Sequence, residues 1–589
     1  PVPMTPLKNE DDEITIDNFA DIVDKDSWAE FMPKGVTKQV FRKFKKYYEA
    51  DIFREAGKRI RSMARAADNL SVEDRIERIS SIFNTFRNPD KETVLTPWRV
   101  VNMHLGDCLG GYSFYDEQYA KMLDVPRYID GGKVTEDVYA TDSKVLEINS
   151  KSGLYPLFVA YNIYRRRVEE AKRKYGEVDR GFALSLWDST IEQNIFVICK
   201  TPMARDITRR TLVGFRNTRV NAQYYKDLIE VIKNNPATFV NEVRDGRRFW
   251  NTNNNDHMKF NAIVGNPPYQ VMDGGGAGTS AITIYHHFVN IYKIIKPKYI
   301  SLIIPARWYA GGKGLDDFRN SMLVDKRIEI IIDYPNPKDC FPTANISGGV
   351  CYFLWNAHYS NQCDFVNVIN GEQFSAKRDL DEFEVFVRYN KALSIIRKIT
   401  QISQKSISNI VSARNLYNLD SSIRGSQNKK QETDLQVYSS RGVGFISNNF
   451  VTSKDCNINC YKLFMGKVLS GHLGETDEKG QVKVIATLII GLPYDVCTDS
   501  YLVIGSFPKK SEVKNCESYF RTKFLRFLLL QSLVSMNISR NNFRFVPLQD
   551  FTSQSDIDWS VSIPEIDEQL YQKYGLSDDE IAFIEKMIK

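Results

Sequence analysis

At 589 residues the chain is too long for one ordinary hydrophobic core, and its size predicts two or three domains. A 42% hydrophobic and 26% charged composition is that of a soluble globular protein, and no apolar run is long enough to span a bilayer or to serve as a signal peptide. The net charge of only +6 excludes a globally basic nucleic-acid binder, so any such footprint has to be local. Nine scattered Cys without a CxxC pair, beside only six His, argue against structural zinc and for free thiols in a reducing cytoplasm. The start Pro1-Val2-Pro3 lacks an initiator Met, which predicts a processed chain or a piece of a longer protein.

Residues 1–90 read as an N-terminal helical region, acidic at first and then basic. Gln39 to Arg65 carries Lys, Arg, Phe and Tyr at helical spacing. Such a basic amphipathic helix is usually a solvated face, with DNA contact as its functional alternative. From 91 to 360, short apolar runs alternate with helical segments, with no internal repeat. The runs are Val145 to Ile148, Ile195 to Ile198, Ala262 to Val264, Ile300 to Ile304 and Ile328 to Ile332; Leu154 to Lys174 and Ile282 to Ile295 are predicted helices. This alternation predicts an α/β fold with a largely parallel sheet. Ligands of such sheets bind at the carboxyl ends of the strands, where Glu147 and Asn266 both fall.

Asn266-Pro267-Pro268-Tyr269 is the most informative stretch. A strand that meets two prolines cannot continue its ladder, so the backbone breaks and presents the Asn amide and the Tyr ring at the sheet edge. The amide oxygen can accept a hydrogen bond from an exocyclic amine, and the ring can stack on a heteroaromatic base. The plain alternative is a strand followed by a Pro-Pro turn. After residue 360 the character changes, and 401–460 is crowded with Ser, Asn, Gln and Gly. Here Arg424, Lys429, Lys430 and Arg441 stand among Asn and Gln, side chains whose donors and acceptors discriminate bases. A loop-rich surface is the bland reading. The apolar helix Phe520 to Val534 reads as core, and Arg540 and Arg544 follow it.

Taken together, these segments resemble the amino-methylating DNA methyltransferases of the gamma arrangement, specifically the adenine-N6 enzymes of bacterial restriction–modification systems. The order carries the resemblance: a cofactor segment, then Asn-Pro-Pro-Tyr, then a recognition tail. The branch it suggests is the one in which modification and restriction share one polypeptide, so nuclease or helicase domains of the same polypeptide are expected upstream.

The resemblance implies a Rossmann-like S-adenosylmethionine-dependent methyltransferase sheet over 91–360. It also implies a C-terminal α/β target-recognition domain with terminal helices over 361–589. Leu95 to Met103 is similar to the segment covering the methionine part of the cofactor, with Thr96 bonding its carboxylate and Pro97 starting a helix. Val145 to Gly153 stands where an acidic residue faces the cofactor's ammonium group. Glu147, Asn149 and Gly153 are its candidates, although Ile148 replaces the family's Pro and Lys151 the first Gly. On the next strand, Cys199 and Thr201 occupy the place of the acid that holds the ribose hydroxyls.

At the catalytic end, Asn266 and the Pro267 carbonyl are implied to accept the amine hydrogens of a flipped adenine. Pro268 rigidifies the turn, and Tyr269 and Phe341 stack on the base. Gly274 to Thr279 lacks the Gly-Lys-Ser/Thr ending of a phosphate-binding loop, and reads as a flexible loop closing over the extruded base. The expected partner is double-stranded DNA, bound through Arg424, Lys429, Lys430, Arg441, Arg540 and Arg544, with no metal required. Three alternatives stay open: protein-glutamine methylation, cytosine-N4 methylation, which usually has Ser at the Asn266 position, and a DNA-recognition module without turnover.

Overall fold

Short runs of buried β-branched residues build the central sheet of this protein. The computed structural model describes residues 13–33, 35–86, 95–252, 257–272, 281–312, 314–342, 344, 346, 348–453, 457–468, 481–484, 486–533 and 538–589. These fall into two compact units, one within 1–306 and 313–364, the other within 307–312 and 365–589. The glycine-rich stretch 274–279 lies outside the described residues.

Seven strands of the central sheet lie in the first unit: β1 (Val145–Ile148), β2 (Ile195–Cys199), β3 (Asn221–Tyr224), β4 (Ala262–Gly265), β5 (Tyr299–Pro305), β6 (Ile328–Tyr334) and β7 (Val350–Asn356). Their order across the sheet is β3-β2-β1-β4-β5-β7-β6. The first five run parallel, and β7 pairs antiparallel with both β5 and β6. Every residue of β1, β2, β4 and β5 is buried. That explains why these strands read as unbroken apolar runs rather than alternating ones, since both faces of a parallel sheet are covered. The chain winds outward from β1 to β3, then returns to start again at β4. The strand order therefore reverses between β1 and β4, which opens a crevice at their carboxyl ends. This is the α/β architecture expected from the sequence.

Five helices of this unit bear on the site: α1 (Lys25–Phe31), α2 (Trp98–Leu109), α3 (Leu154–Tyr175), α4 (Pro202–Val213) and α5 (Tyr285–Ile295). Thr201 caps α4, its Oγ1 accepting from the Ala204 N–H at 3.2 Å, and Pro202 occupies the first helical position where no N–H is needed. At the other end of α4, the buried Arg75 guanidinium donates to the carbonyls of Thr211 and Arg210, both at 2.8 Å, and pairs with Asp68 at 3.3 Å. A cation among the last carbonyls of a helix satisfies groups that have no intrahelical donor. The N-terminal region is thereby packed onto the sheet unit.

Three elements differ from their sequence expectation. The basic stretch after Gln39 is two helices, Lys38–Phe44 and Ala50–Ala67, separated by a 3-10 turn at Lys45–Tyr47. Helix α5 begins at Tyr285, because residues 281–283 pair instead with Gln270–Met272 as a hairpin. The apolar segment near 520 is split into Lys510–Arg521 and Lys523–Gln531, since Thr522 turns its hydroxyl onto the Leu525 N–H and caps a new helix.

In the second unit, strand Leu435–Ser439 lies between Gly442–Ile446, antiparallel, and Asp495–Cys497, parallel. Strand Tyr461–Gly466 is flanked antiparallel by Leu488–Gly491 and Tyr501–Phe507. Helices Asn390–Ile402, Lys510–Arg521, Lys523–Gln531, Ile563–Lys573 and Asp578–Met587 contribute to its larger core. The described cysteines are buried free thiols. No described helix is long and apolar enough to cross a membrane.

Replacing Arg75 with Met leaves Asp68 without its cation and the α4 carbonyls without a donor. The first unit is expected to lose about 3–5 kcal/mol, the usual cost of breaking a buried ion pair. Urea denaturation of the wild type and Arg75→Met measures the difference.

Candidate active site

The crevice between β1 and β4 is formed by backbones that approach each other closely. Gly265, the last residue of β4, has φ of +147°, and a Cβ there would stand 3.2 Å from Cγ of Glu147. Glycine suits this point, since its φ is one that other residues rarely adopt and a side chain there would press on Glu147. The two prolines then end the strand, and Asn266 turns into the crevice. Its Nδ2 donates to Thr96 Oγ1 at 3.0 Å, which fixes the direction of the amide. The Oδ1 atom is left buried, with no hydrogen-bond partner. A buried acceptor without a donor is uncommon and costs about 1–3 kcal/mol. Thr96 and Pro97 directly precede α2, and Arg99 in that helix donates to the Asp339 carbonyl in the turn that leads to Phe341.

Tyr269 is held at its backbone, where its carbonyl accepts from the Ile284 N–H at 3.1 Å. Burial holds its hydroxyl well above the usual phenol range. The hydroxyl is near enough to the Asn266 amide to feel it, yet neither it nor Asn266 Oδ1 has a partner at hydrogen-bond distance. Phe341, in the turn that follows Asp339, is buried. Pro267 is buried and Pro268 half-buried.

On the other wall, Glu147 is only 7% exposed and its Oε2 has no hydrogen-bond partner. Burial pushes its carboxyl up to about 8, opposed by a hydrogen bond from Ser150. A buried carboxyl raised in this way is a functional-site signature, because the fold desolvates an acid and holds it in the neutral form. Beyond β1 the backbone N–H groups of Asn149 and Ser150 both donate to the Ile198 carbonyl, at 2.8 and 3.1 Å. Asn149 takes φ of +70°, a conformation Asn tolerates better than most residues, and its Oδ1 is also buried without a partner. Gly153 has φ of +75°, and a Cβ on it would lie 3.1 Å from the Thr208 Cα, so the glycine lets α3 start against α4.

The structure therefore brings Thr96, Pro97, Glu147, Asn149, Gly153, Asn266, Pro267, Pro268 and Tyr269 to the carboxyl edge of one sheet. Thr201 stands at the end of β2, where its hydroxyl donates to Glu30 of α1. Sequence reasoning missed Glu30. It lies 171 residues from its partner and carries no local motif.

The six tail cations separate into two groups. Arg441 is in the turn joining Leu435–Ser439 to Gly442–Ile446, and Lys429 lies over the Phe445 ring of that hairpin at 5.7 Å. Segment 424–430 is held alongside by paired hydrogen bonds between Ser426 and Phe445, both 2.9 Å. Gly425 and Gly444 cross there so closely that a Cβ on either would overlap the other's backbone. Arg424, Lys429, Lys430 and Arg441 are all exposed. Arg540 and Arg544 belong instead to a turn on the larger core. Arg540 donates to the Ser408 carbonyl at 2.9 Å, and Arg544 pairs with Glu384 at 2.5 Å. Among the described residues no cluster of His, Cys, Asp and Glu could hold a metal ion.

Comparison with known proteins returns the resemblance read from the sequence. Residues 193–341 match the Eco57I restriction-modification methylase family. A Mycoplasma pneumoniae protein described as an uncharacterized adenine-specific methylase is 31% identical over 229 residues, 38% of this chain. The match covers 51% of that relative's length. Among solved structures, the type IIL restriction-modification enzyme MmeI in complex with DNA is 10% identical, covering 76% of this chain and 73% of that one at a TM-score of 0.39. The type I methyltransferase subunit from Streptococcus thermophilus is 11% identical, covering 52% and 55% at a TM-score of 0.31.

The state of Glu147 gives a pH signature. Its folded value of about 8 lies above the ordinary 4.5, so the fold favours the protonated form. Its contribution is complete below pH 4.5 and is lost as pH rises toward 8. Across that window the wild type is expected to lose roughly 3–5 kcal/mol relative to Glu147→Gln, which stays neutral. Denaturant midpoints of both proteins at the two ends of the window measure the effect, and parallel curves would contradict it.

Proposed function

We propose that this chain transfers a methyl group from S-adenosylmethionine to N6 of adenine in double-stranded DNA, as the modification part of a restriction–modification system. The observation that carries the reading is the pair of buried, unpartnered oxygens at the carboxyl ends of adjacent strands, β1 and β4. Asn266 Oδ1 is an acceptor without a donor, and Glu147 Oε2 is a carboxylate oxygen without a cation. An exocyclic amine supplies what the first lacks, and an ammonium group what the second lacks. The cofactor, when bound, supplies a methyl sulfonium whose carbon is open to direct displacement, so no metal is required.

The chain's own residues supply orientation. Thr96 holds the Asn266 amide so that Oδ1, with the Pro267 carbonyl, accepts the two amine hydrogens of a flipped adenine. This localises the nitrogen lone pair toward the methyl carbon. Pro268 stiffens the turn. Tyr269 and Phe341 supply stacking, worth about 1–3 kcal/mol per base and comparable to the cost of extrusion. Glu147 would face the cofactor's ammonium group, Thr96 and Pro97 would border its carboxylate, and Asn149, Gly153 and Thr201 would line the remaining edge. Asn266, rather than Ser, at this position favours adenine over cytosine-N4, and the M. pneumoniae relative is described as adenine-specific. The exposed cations around the Leu435–Ile446 hairpin favour a DNA substrate over protein glutamine, and in this reading residues 361–589 form the target-recognition part.

Asn266→Ala is expected to abolish methyl transfer, while DNA affinity, which comes mostly from phosphate contacts, stays near wild type. Incorporation of labelled methyl groups into duplex DNA, measured beside a binding titration, tests this. Turnover near wild type would remove Asn266 from the chemistry.

Single replacements of the tail cations should sort by role. Loss of a phosphate contact weakens all sequences alike and lowers the salt slope by about one, whereas loss of a base contact relaxes one position at about 1–3 kcal/mol. Arg424, Lys429, Lys430 and Arg441 are expected to show one effect or the other. Arg544 is expected to show the smallest, since Glu384 already holds it. Salt titrations on cognate and scrambled duplexes decide, and six silent variants would remove the tail from recognition.

A further inference from the structure

We propose that Glu30, carried by the N-terminal helix α1, is the carboxylate that binds the ribose hydroxyls of S-adenosylmethionine; this rests on the methyltransferase reading above. In nucleotide-binding sheets of this winding, an acidic side chain at the end of the second strand accepts from the ribose. Strand β2 ends instead in Cys199-Lys200-Thr201 and offers no acid of its own. Cys199 is buried and its thiol is pushed well above its ordinary range by that burial, so it stays neutral and a weak acceptor.

Thr201 cannot take the role either. Its one hydroxyl proton is given to Glu30 Oε2, and its oxygen accepts from the Ala204 N–H at 3.2 Å. It acts as a positioning residue that holds a carboxylate at the strand end.

Helix α1 is anchored to the same edge at two further points. Ser27 Oγ accepts from the Met203 N–H at 3.1 Å, and the Tyr224 hydroxyl at the end of β3 reaches Asp26 Oδ2 at 3.4 Å. Asp24 caps the helix through the N–H groups of Asp26 and Ser27. Glu30, 4% exposed, is thus brought to the carboxyl ends of β2 and β3, one strand away from Glu147. Two carboxylates on one sheet edge match a ligand with an ammonium at one end and a vicinal diol along its length.

The test is calorimetric binding of S-adenosylhomocysteine and its 2′,3′-dideoxy analogue to the wild-type chain, Glu30→Gln and Glu30→Ala. Neither ligand turns over, so the readout is independent of methylation. The wild type is expected to bind the natural nucleoside about tenfold to a hundredfold more tightly than the dideoxy analogue, the usual range for a charged hydrogen bond. Glu30→Gln should weaken the natural ligand by that factor, leave the analogue nearly unchanged and so collapse the ratio.

Equal weakening of both ligands, or a ratio preserved in Glu30→Gln, overturns the assignment. Indifference of the wild type to the hydroxyls overturns the assignment whether or not the variants fold, because it excludes any carboxylate partner. A wild-type chain that binds neither ligand would overturn the methyltransferase reading and this inference together, and is distinguishable from the other outcomes.

Discussion

A carboxylate buried without a cation is the constraint around which the sheet edge is arranged. Glu147 occupies the point where strand order reverses, and the backbones on both sides yield to it. Gly265 gives up a side chain so that Glu147 can lie against it, and Asn149 takes a left-handed conformation immediately after β1. An isolated ionised carboxylate cannot be held in such surroundings at ordinary cost, so the group stays protonated until a cation arrives. The fold thereby stores a preference for a positively charged ligand in the free protein.

The Asn266 amide shows the same economy on the opposite wall. A side-chain amide has two donors and one acceptor oxygen, and only the nitrogen is partnered here, through Thr96. That one bond decides which end of the amide faces the crevice. It also joins the turn after β4 to the start of α2, so the residues expected to touch cofactor and base are mechanically coupled. A second link ties Arg99 of α2 to the turn before Phe341. Preorganisation of this kind means that little has to move when a substrate amine approaches.

The largely parallel sheet was legible because short apolar runs alternate with helical segments, and the Pro-Pro break marks a strand end; the strand order, and with it the reversal point, was not, since it depends on pairing between distant runs. Glu147 and Asn266 were legible for the same reason, since each stands at the end of such a run. Helix boundaries were less so: Thr522 can continue a helix or cap one, and only its hydroxyl geometry decides. The tail cations all looked alike in sequence, yet Arg544 is drawn to Glu384, 160 residues away. Glu30 was invisible on the same grounds, because its contact with Thr201 depends on how the N-terminal helices dock on the sheet and on no local pattern.

That docking bears on the segment Val145 to Gly153 and the end of β2. Ile148, Lys151 and Thr201 depart from the expected pattern, and taken strand by strand they suggest a weakened site. The three-dimensional arrangement redistributes the work instead. The N-terminal region lends a carboxylate to β2, and Asp68 and Arg75 fasten that region to the far end of α4, the helix that Thr201 starts. An unpartnered acceptor and an unpaired carboxylate each cost stability, so they persist only where the surrounding packing over-determines their positions. Here that packing includes His104, buried between the Tyr155 hydroxyl at 2.8 Å and Ser301 at 2.9 Å, its imidazole pushed down to about 3 and therefore neutral. A neutral, doubly bonded imidazole ties α2, α3 and β5 together without adding a charge of its own to the interior.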